Sequence, residues 1–286
     1  MALVDEKVFT ASTGYVFKAP VGTAAPSRAA LKNFNPETFG ASSVKVSVTG
    51  APTGGTFTLT HKGNATAALA YNATPAEIQA ELSKLASIGA GNVVVVTGEA
   101  GKNYEVAFIG KLAKANEELT ANATFTGGTT PNVEVKKGAD ANDWELAGHT
   151  AQEELPEFGF DGGDTKVKGS WQKKKLKEVT EEDPVDYVII RFVQWDVETL
   201  EAYFGKNKST TEGIYGSDGS RTSIEVAILI VMVDGPFVIA FTAAKATLRR
   251  EEAIKLEADE FAILPVRATF VNHPGRLLFE WITPET

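Results

Sequence analysis

The sequence predicts a mainly β protein with α+β detail: a β-sandwich or closed sheet with one flanking helix, interrupted by a small inserted α+β domain. Three observations carry this. Apolar residues come in short β-branched or alternating runs bounded by Gly and Pro, the mark of strands. Only two stretches start like helices. And the composition changes twice along the chain. Residues 42–138 hold eight Lys and seven Glu, a net of +1, and are rich in Thr, Ala, Gly, Asn and Val. The whole chain of 286 residues has 28 basic and 37 acidic residues, a net of -9, so the flanks carry a net of -10.

The neutral stretch reads as a unit of its own. Residues 44–48 and 55–60 alternate as half-buried strands do, with Pro52-Thr53-Gly54-Gly55 as the turn between them. A helix follows. Thr74 caps it, Pro75 suits its first position, and Glu77 completes the capping box. Ile78, Leu82 and Leu85 share a face, and Gly89 and Gly91 are expected to end the helix. Residues 93–97 and 104–109 read as strands, and 124–125 and 133–135 close the sheet. The expected division is a discontinuous domain of residues 1–41 and 142–286, with an inserted domain of residues 42–141. Its ends lie in Gly40-Ala41-Ser42-Ser43 and Gly138-Ala139-Asp140-Ala141-Asn142, exposed loops of the kind that tolerate insertions.

In the acidic flanks, residues 166–179 and 187–194 read as strands. Asp196 caps a short helix through Tyr203 that Gly205 stops. Residues 206–222 form a polar Gly/Ser-rich loop. The most apolar stretch, residues 226–244, is broken by Asp234-Gly235-Pro236, so it predicts a buried hairpin rather than a membrane span. Residues 263–271 and 277–282 finish the sheet.

Candidate chemistry is sparse. The absence of Cys excludes disulfides, thiolate catalysis and Cys-ligated zinc. His61, His149 and His273 lack ligand spacing. His61 ends a strand and is expected to be solvated, His149 to make a loop or interface hydrogen bond, and His273 to sit in a turn beside Pro274. Asp161-Gly162-Gly163-Asp164 lacks the calcium-loop pattern and reads as a tight turn, with a weak metal site as the alternative. Gly213-Ile214-Tyr215-Gly216-Ser217-Asp218-Gly219 lacks the ending of a phosphate loop. No catalytic, cofactor-binding or metal residue is assigned, and no enzyme is expected. The acidic balance argues against nucleic-acid binding. The one basic run, Lys173-Lys174-Lys175-Leu176-Lys177, is followed by Glu178, Glu181, Glu182 and Asp183; it reads as a solvated strand face or a polymerisation contact. Trp144, Trp171, Trp195 and Trp281 read as core or interface anchors. The acidic N-terminus does not look like a signal peptide.

Several ordered blocks resemble a known family. They are Gly14-Tyr15-Val16-Phe17, Ala19-Pro20-Val21-Gly22-Thr23-Ala24-Ala25-Pro26 and Pro36-Glu37-Thr38-Phe39-Gly40, then Trp144-Glu145-Leu146-Ala147-Gly148-His149-Thr150 and Glu154-Leu155-Pro156-Glu157-Phe158-Gly159-Phe160-Asp161-Gly162-Gly163-Asp164, then Gly169-Ser170-Trp171-Gln172. Their order is similar to the major tail proteins, or tail tube proteins, of siphophages, the long, non-contractile-tailed bacteriophages, notably those of actinobacteria. The neutral stretch resembles modules inserted in phage structural proteins, through Gly55-Thr56-Phe57-Thr58-Leu59, Ala70-Tyr71-Asn72-Ala73-Thr74 and Gly89-Ala90-Gly91-Asn92-Val93.

The resemblance implies a structural virion protein that polymerises as stacked, hexameric rings into the tail tube, the conduit for DNA delivery, with the insert projecting outward. Implied partners are copies of itself, the tape measure protein and DNA in the lumen, and the tail terminator and tail-tip proteins, with no membrane insertion. The implied location is the virion tail, after assembly in the host cytoplasm. A capsid or head-decoration protein and a surface-adhesion or carbohydrate-binding protein are the other classes the sequence leaves open. Glu251, Glu252, Glu257 and Asp259 are candidate lumen acids, with an outer-surface position equally open to each. Residues 3–9 and 206–222 are candidate segments for joining rings.

Overall fold

A computed structural model describes residues 8–32, 34–220 and 222–283. In chain order the elements are β1 (Thr13–Ala19), α1 (Arg28–Lys32), β2 (Ser42–Thr49), β3 (Gly54–His61), β4 (Asn64–Ala65), β5 (Leu69–Ala70), α2 (Pro75–Ser83), β6 (Val93–Glu99), β7 (Asn103–Phe108), β8 (Thr120–Thr126), β9 (Asn132–Lys137), β10 (Glu145–Leu146), β11 (Glu157–Asp161), β12 (Thr165–Lys168), β13 (Lys177–Thr180), β14 (Val185–Phe192), α3 (Val197–Phe204), β15 (Ile224–Asp234), β16 (Phe237–Arg250), β17 (Leu264–Phe270) and β18 (Glu280–Ile282). The fold is mainly β, and the chain divides into two compact units, residues 1–34 with 144–286, and residues 35–143.

The larger unit is built on one antiparallel sheet in the order β10-β1-β15-β16-β17-β14-β11. Its centre is the β15–β16 hairpin. Asp234 pairs with Phe237, leaving a two-residue turn in which Gly235 sits at φ 56°, as the first position of a primed hairpin turn requires. Along β14 and β17, Val188, Ile190, Phe192, Leu264, Val266, Ala268 and Phe270 face the core. The alternate positions Tyr187, Arg191, Arg267 and Thr269 face the other way, as the two-residue period of a strand dictates.

The β15–β16 register slips between Val226 and Ile228. On one side of the slip β16 pairs with β18 at Ala240–Thr242, and on the other with β17 at Ala246–Arg250. One 14-residue strand thus changes neighbours at a bulge, where sheets bend. An aromatic cluster fills the bend: Phe158, Phe270, Phe279 and Trp281 surround the Phe241 ring at centroid distances of 4.7 to 5.7 Å. Helix α3 is tied to β1 by the Lys18–Glu198 ion pair and begins at Asp196, whose carboxylate accepts from Thr199 N at 2.8 Å. Besides α3, this unit has the five-residue helix α1, so the single flanking helix of the sequence reading is the longer of two.

One segment differs from the sequence reading, and the loop after α3 follows it. Residues 166–179 are a hairpin, not one strand: β12 and β13 pair from Thr165↔Thr180 to Lys168↔Lys177 in a separate two-stranded sheet. Chain reversal between them is accommodated by Lys175 in the left-handed region at φ 57°. Residues 206–220 form the expected loop, in which Asn207 Oδ1 accepts from Ser209 N and Gly216 N, both at 2.9 Å. Of the other candidate segment for joining rings, residues 3–9, all but Val8 and Phe9 lie outside the described residues.

The smaller unit has two antiparallel sheets, β6-β7-β2-β9 and a second with β3 central to β4, β5 and β8. Val44, Val46, Phe57, Leu59, Val106 and Phe108 from both sheets pack with Ile78 and Leu82 of α2 in one core. The Thr74–Glu77 capping box is formed in both directions, Thr74 N donating to Glu77 Oε2 at 2.7 Å and Glu77 N to Thr74 Oγ1 at 3.3 Å. Helix α2 ends at Ser83, ahead of the expected Gly89 and Gly91; Leu85 is buried in the turns beyond it. The first and last strands of the unit are joined at their roots. Ser43 N donates to Ala139 O at 2.9 Å, Gly138 N to Ser43 O at 2.8 Å, and Asn142 N to Gly40 O at 3.0 Å. A Cβ on Gly138 would lie 2.3 Å from Ser43 Oγ, so the strands approach closely only because this residue is glycine.

Candidate functional site

Three places gather polar or charged side chains. The first is a buried node in the smaller unit. His61, expected in solvent, is fully buried (0% exposed) and stacks on Phe108. Its Nδ1 lies 2.9 Å from Ser87 Oγ and its Nε2 2.9 Å from Glu117 Oε2, while Lys62 Nζ donates to Glu117 Oε1 at 2.7 Å. A carboxylate only accepts, so Nε2 carries a proton. Burial alone would raise the Glu117 pKa, but the hydrogen bonds from Lys62 and His61 hold it below the ordinary carboxylate value. The order Ser–His–Glu is that of a nucleophilic relay, yet the imidazole has no exposed surface by which to meet a substrate. The node fastens β3 to the segment after β7.

The second is the outward face of β14 and β17 in the larger unit. Arg267 is nearly buried, lies 3.7 Å over the Tyr187 ring, and donates to Glu251 Oε2 at 2.5 Å, to Glu251 Oε1 at 2.6 Å and to Asp161. The bonds to Glu251 and Asp161 raise its pKa above the usual arginine value. Arg191 lies 2.5 Å from Glu154, 3.6 Å from Glu157 and 4.0 Å from Glu252. Of the four candidate lumen acids, Glu251 is therefore committed to Arg267 and Glu252 lies beside Arg191, whereas Glu257 and Asp259 are exposed in the loop before β17.

The third is the β12–β13 hairpin, whose residues 164–178 are all exposed and whose turn holds the lysine run. The remaining sequence candidates are scattered. His149 lies in a loop, its backbone N donating to Gln194 Oε1 at 3.1 Å. His273 lies just before the turn at Pro274, with Nδ1 unpartnered. Asp161-Gly162-Gly163-Asp164 turns from β11 to β12, with both glycines at positive φ. Trp144 is buried, its Nε1 donating to Ala24 O at 3.1 Å, and Trp195 donates to Ala262 O at 3.0 Å. Trp171 is fully exposed. Among the described residues, no cluster of three or more His, Asp or Glu is placed to hold a metal ion, and no helix is long and apolar enough to cross a membrane.

A family model described as phage tail tube protein matches residues 98–286, roughly two thirds of the chain. This chain belongs to the phage tail tube protein family. The match begins within the smaller unit and runs through every strand from β7 to β18. Major tail protein Gp23 of Mycobacterium phage D29 is 48% identical over 145 residues, which are 51% of this chain and 73% of that protein. Major tail protein Gp23 of Mycobacterium phage L5 is 47% identical over the same length and shares. A solved structure from Mycobacterium phage Patience aligns at 12% identity and a TM-score of 0.25, over 51% of this chain and 48% of that one, so this chain spans less than half its length. As a tail tube family member the chain is a structural virion protein, and the charged sheet face and the hairpin are its candidate surfaces for assembly.

Proposed function

We propose that this protein polymerises as stacked rings of six subunits into a phage tail tube through which DNA passes to the host. The observation that carries the reading is the family match over residues 98–286. The physical features of the larger unit support it. Its sheet ends in short edge strands, β10 and β11, and an edge strand is where a neighbouring copy can extend a sheet. The chain's net charge of -9 suits a conduit wall that repels phosphates rather than holding them.

The tape measure protein and DNA would occupy the bore, and the tail terminator and tail-tip proteins would close the ends. Residues 42–141 would form an accessory domain that projects outward, since an insert of this size in the bore would obstruct it. The protein has no enzymatic role in this reading.

Negative-stain electron microscopy of the purified chain tests the proposal, and tubes with sixfold end views are the expected result. Shells, trimers or a persistent monomer would defeat it. Removing residues 42–138 is expected to leave rings intact, whereas removing residues 2–10 is expected to stop growth without unfolding the subunit.

A further inference from the structure

The β12–β13 hairpin stands outside both hydrophobic cores. At its turn Trp171 is 103% exposed, and Val167 and Leu176 are exposed beside it. Apolar side chains held in water on a bare hairpin mark a surface that a partner covers. Lys166, Lys168, Lys173, Lys174, Lys175 and Lys177 surround them. Lys166 lies 3.6 Å from Glu181, and no described residue forms an ion pair with the other five.

The same unit carries a complementary surface. The loop between β16 and β17 exposes Leu256 and Phe261, at 77% and 82%. With Glu154 and Arg191 it walls a cleft of about 170 Å³. The cleft's charged residues are Glu154, Glu252, Glu257 and Glu260 against Arg191 and Lys255, so its balance is acidic. Basic groups around an exposed indole thus match acidic groups around an exposed phenyl ring, and neither surface is engaged by the other within one chain.

We propose that the tip of the β12–β13 hairpin docks into the Glu252–Phe261 cleft of a second copy of this chain, Trp171 packing on Phe261 and the lysines meeting Glu257 and Glu260. The contact is head-to-tail: each docked pair leaves one hairpin and one cleft free, so it can propagate, as a tube requires. It rests on the self-assembly reading and adds the pairing of surfaces to it. Exposed ion pairs contribute little each and are screened by salt, so the aromatic contact anchors the joint and the charges select the partner. Lysines beside a tryptophan also fit nucleic acid. A second copy fits better, because it offers both halves of the match, the exposed Phe261 ring and the carboxylates beside it.

The test uses the full chain and four variants: Lys173→Glu with Lys174→Glu and Lys175→Glu; Glu257→Lys with Glu260→Lys; the two sets combined; and Trp171→Ala. Circular dichroism and thermal melting establish that each folds. Sedimentation and electron microscopy at low salt then give the critical concentration for assembly. Each reversal and Trp171→Ala should raise it by about tenfold or more, the loss typical of an interface anchor, and the combined reversal should recover most of its loss. Folded reversal variants that assemble like the wild type would overturn the contact alone, as would a combined variant no better than its parents. Duplex-DNA binding that is lost in the lysine variant while assembly is unchanged would assign the hairpin to phosphate and overturn the proposal. A wild-type chain that never assembles would instead defeat the tube reading itself, and the contact with it.

Discussion

Glu117 Oε2 lies 2.9 Å from His61 Nε2 in the interior of the smaller unit, with Lys62 Nζ 2.7 Å from its other oxygen. This carboxylate joins segments 56 residues apart in sequence. Its pKa in the folded chain is depressed below 4.5, so near that pH the unfolded chain binds a proton that the folded chain does not. The stabilisation is whole above about pH 4.5 and is lost as pH falls through the lower folded value. Acid melting of the smaller unit followed against pH should show this loss, and Glu117→Gln should flatten it. Glu117→Ala, which leaves the buried His61 Nε2 without its acceptor, should cost about 1 to 3 kcal/mol in urea unfolding.

Tyr104 is a second fastener in the same unit. Its hydroxyl donates to Ala73 O and accepts from Gly101 N, both at 2.6 Å. Tyr104→Phe keeps the ring but abandons a buried carbonyl and an amide, so it should destabilise this unit by about 1 to 3 kcal/mol. Amide exchange at Gly101 should accelerate in step.

In the larger unit, Asp196→Ala removes the cap of α3 and should cost about 1 kcal/mol, whereas Asp196→Asn should cost less because its side-chain oxygen still accepts from Thr199 N. Burial would raise the Asp196 pKa, but bonds from Thr199 and Gln194 hold it below 3.8, so this contribution too is present above that pH and fades in acid. Chemical denaturation at pH 7 would separate the two variants, and the wild type's advantage over both should narrow in acid.

Arg267→Lys should be disruptive despite keeping the charge. A lysine can neither hold both Glu251 oxygens nor spread over the Tyr187 ring while reaching Asp161. The expected loss is about 2 kcal/mol by thermal unfolding, and Asp161 and its β11 edge should show it first as faster amide exchange.

How much of this was legible in the sequence depends on how local its cause is. The Thr74–Glu77 capping box lies within four residues, and the Asp234-Gly235-Pro236 turn divides two apolar runs, so both were readable and both formed. His61 misled because strand periodicity says nothing of Ser87 and Glu117, 26 and 56 residues away, which make its burial tolerable. The β12–β13 turn was hidden by composition. Its Lys/Glu-rich residues are exposed throughout, so no apolar period broke where the chain reversed, and Lys175 turns it without a glycine at that position. The charged face of β17 was invisible for a related reason: Arg267 finds Asp161 across 106 residues of chain.

The hydrogen bonds that join residues 40–43 to 138–142 have a mechanical consequence. Tension entering the smaller unit from its two chain ends meets those few bonds first, where β2 begins and β9 has ended. They are loaded one after another, like teeth of a zip, rather than together in shear. The root of the unit should therefore open at low force while its sheets remain intact. Such a joint lengthens under strain and recloses when the strain is released.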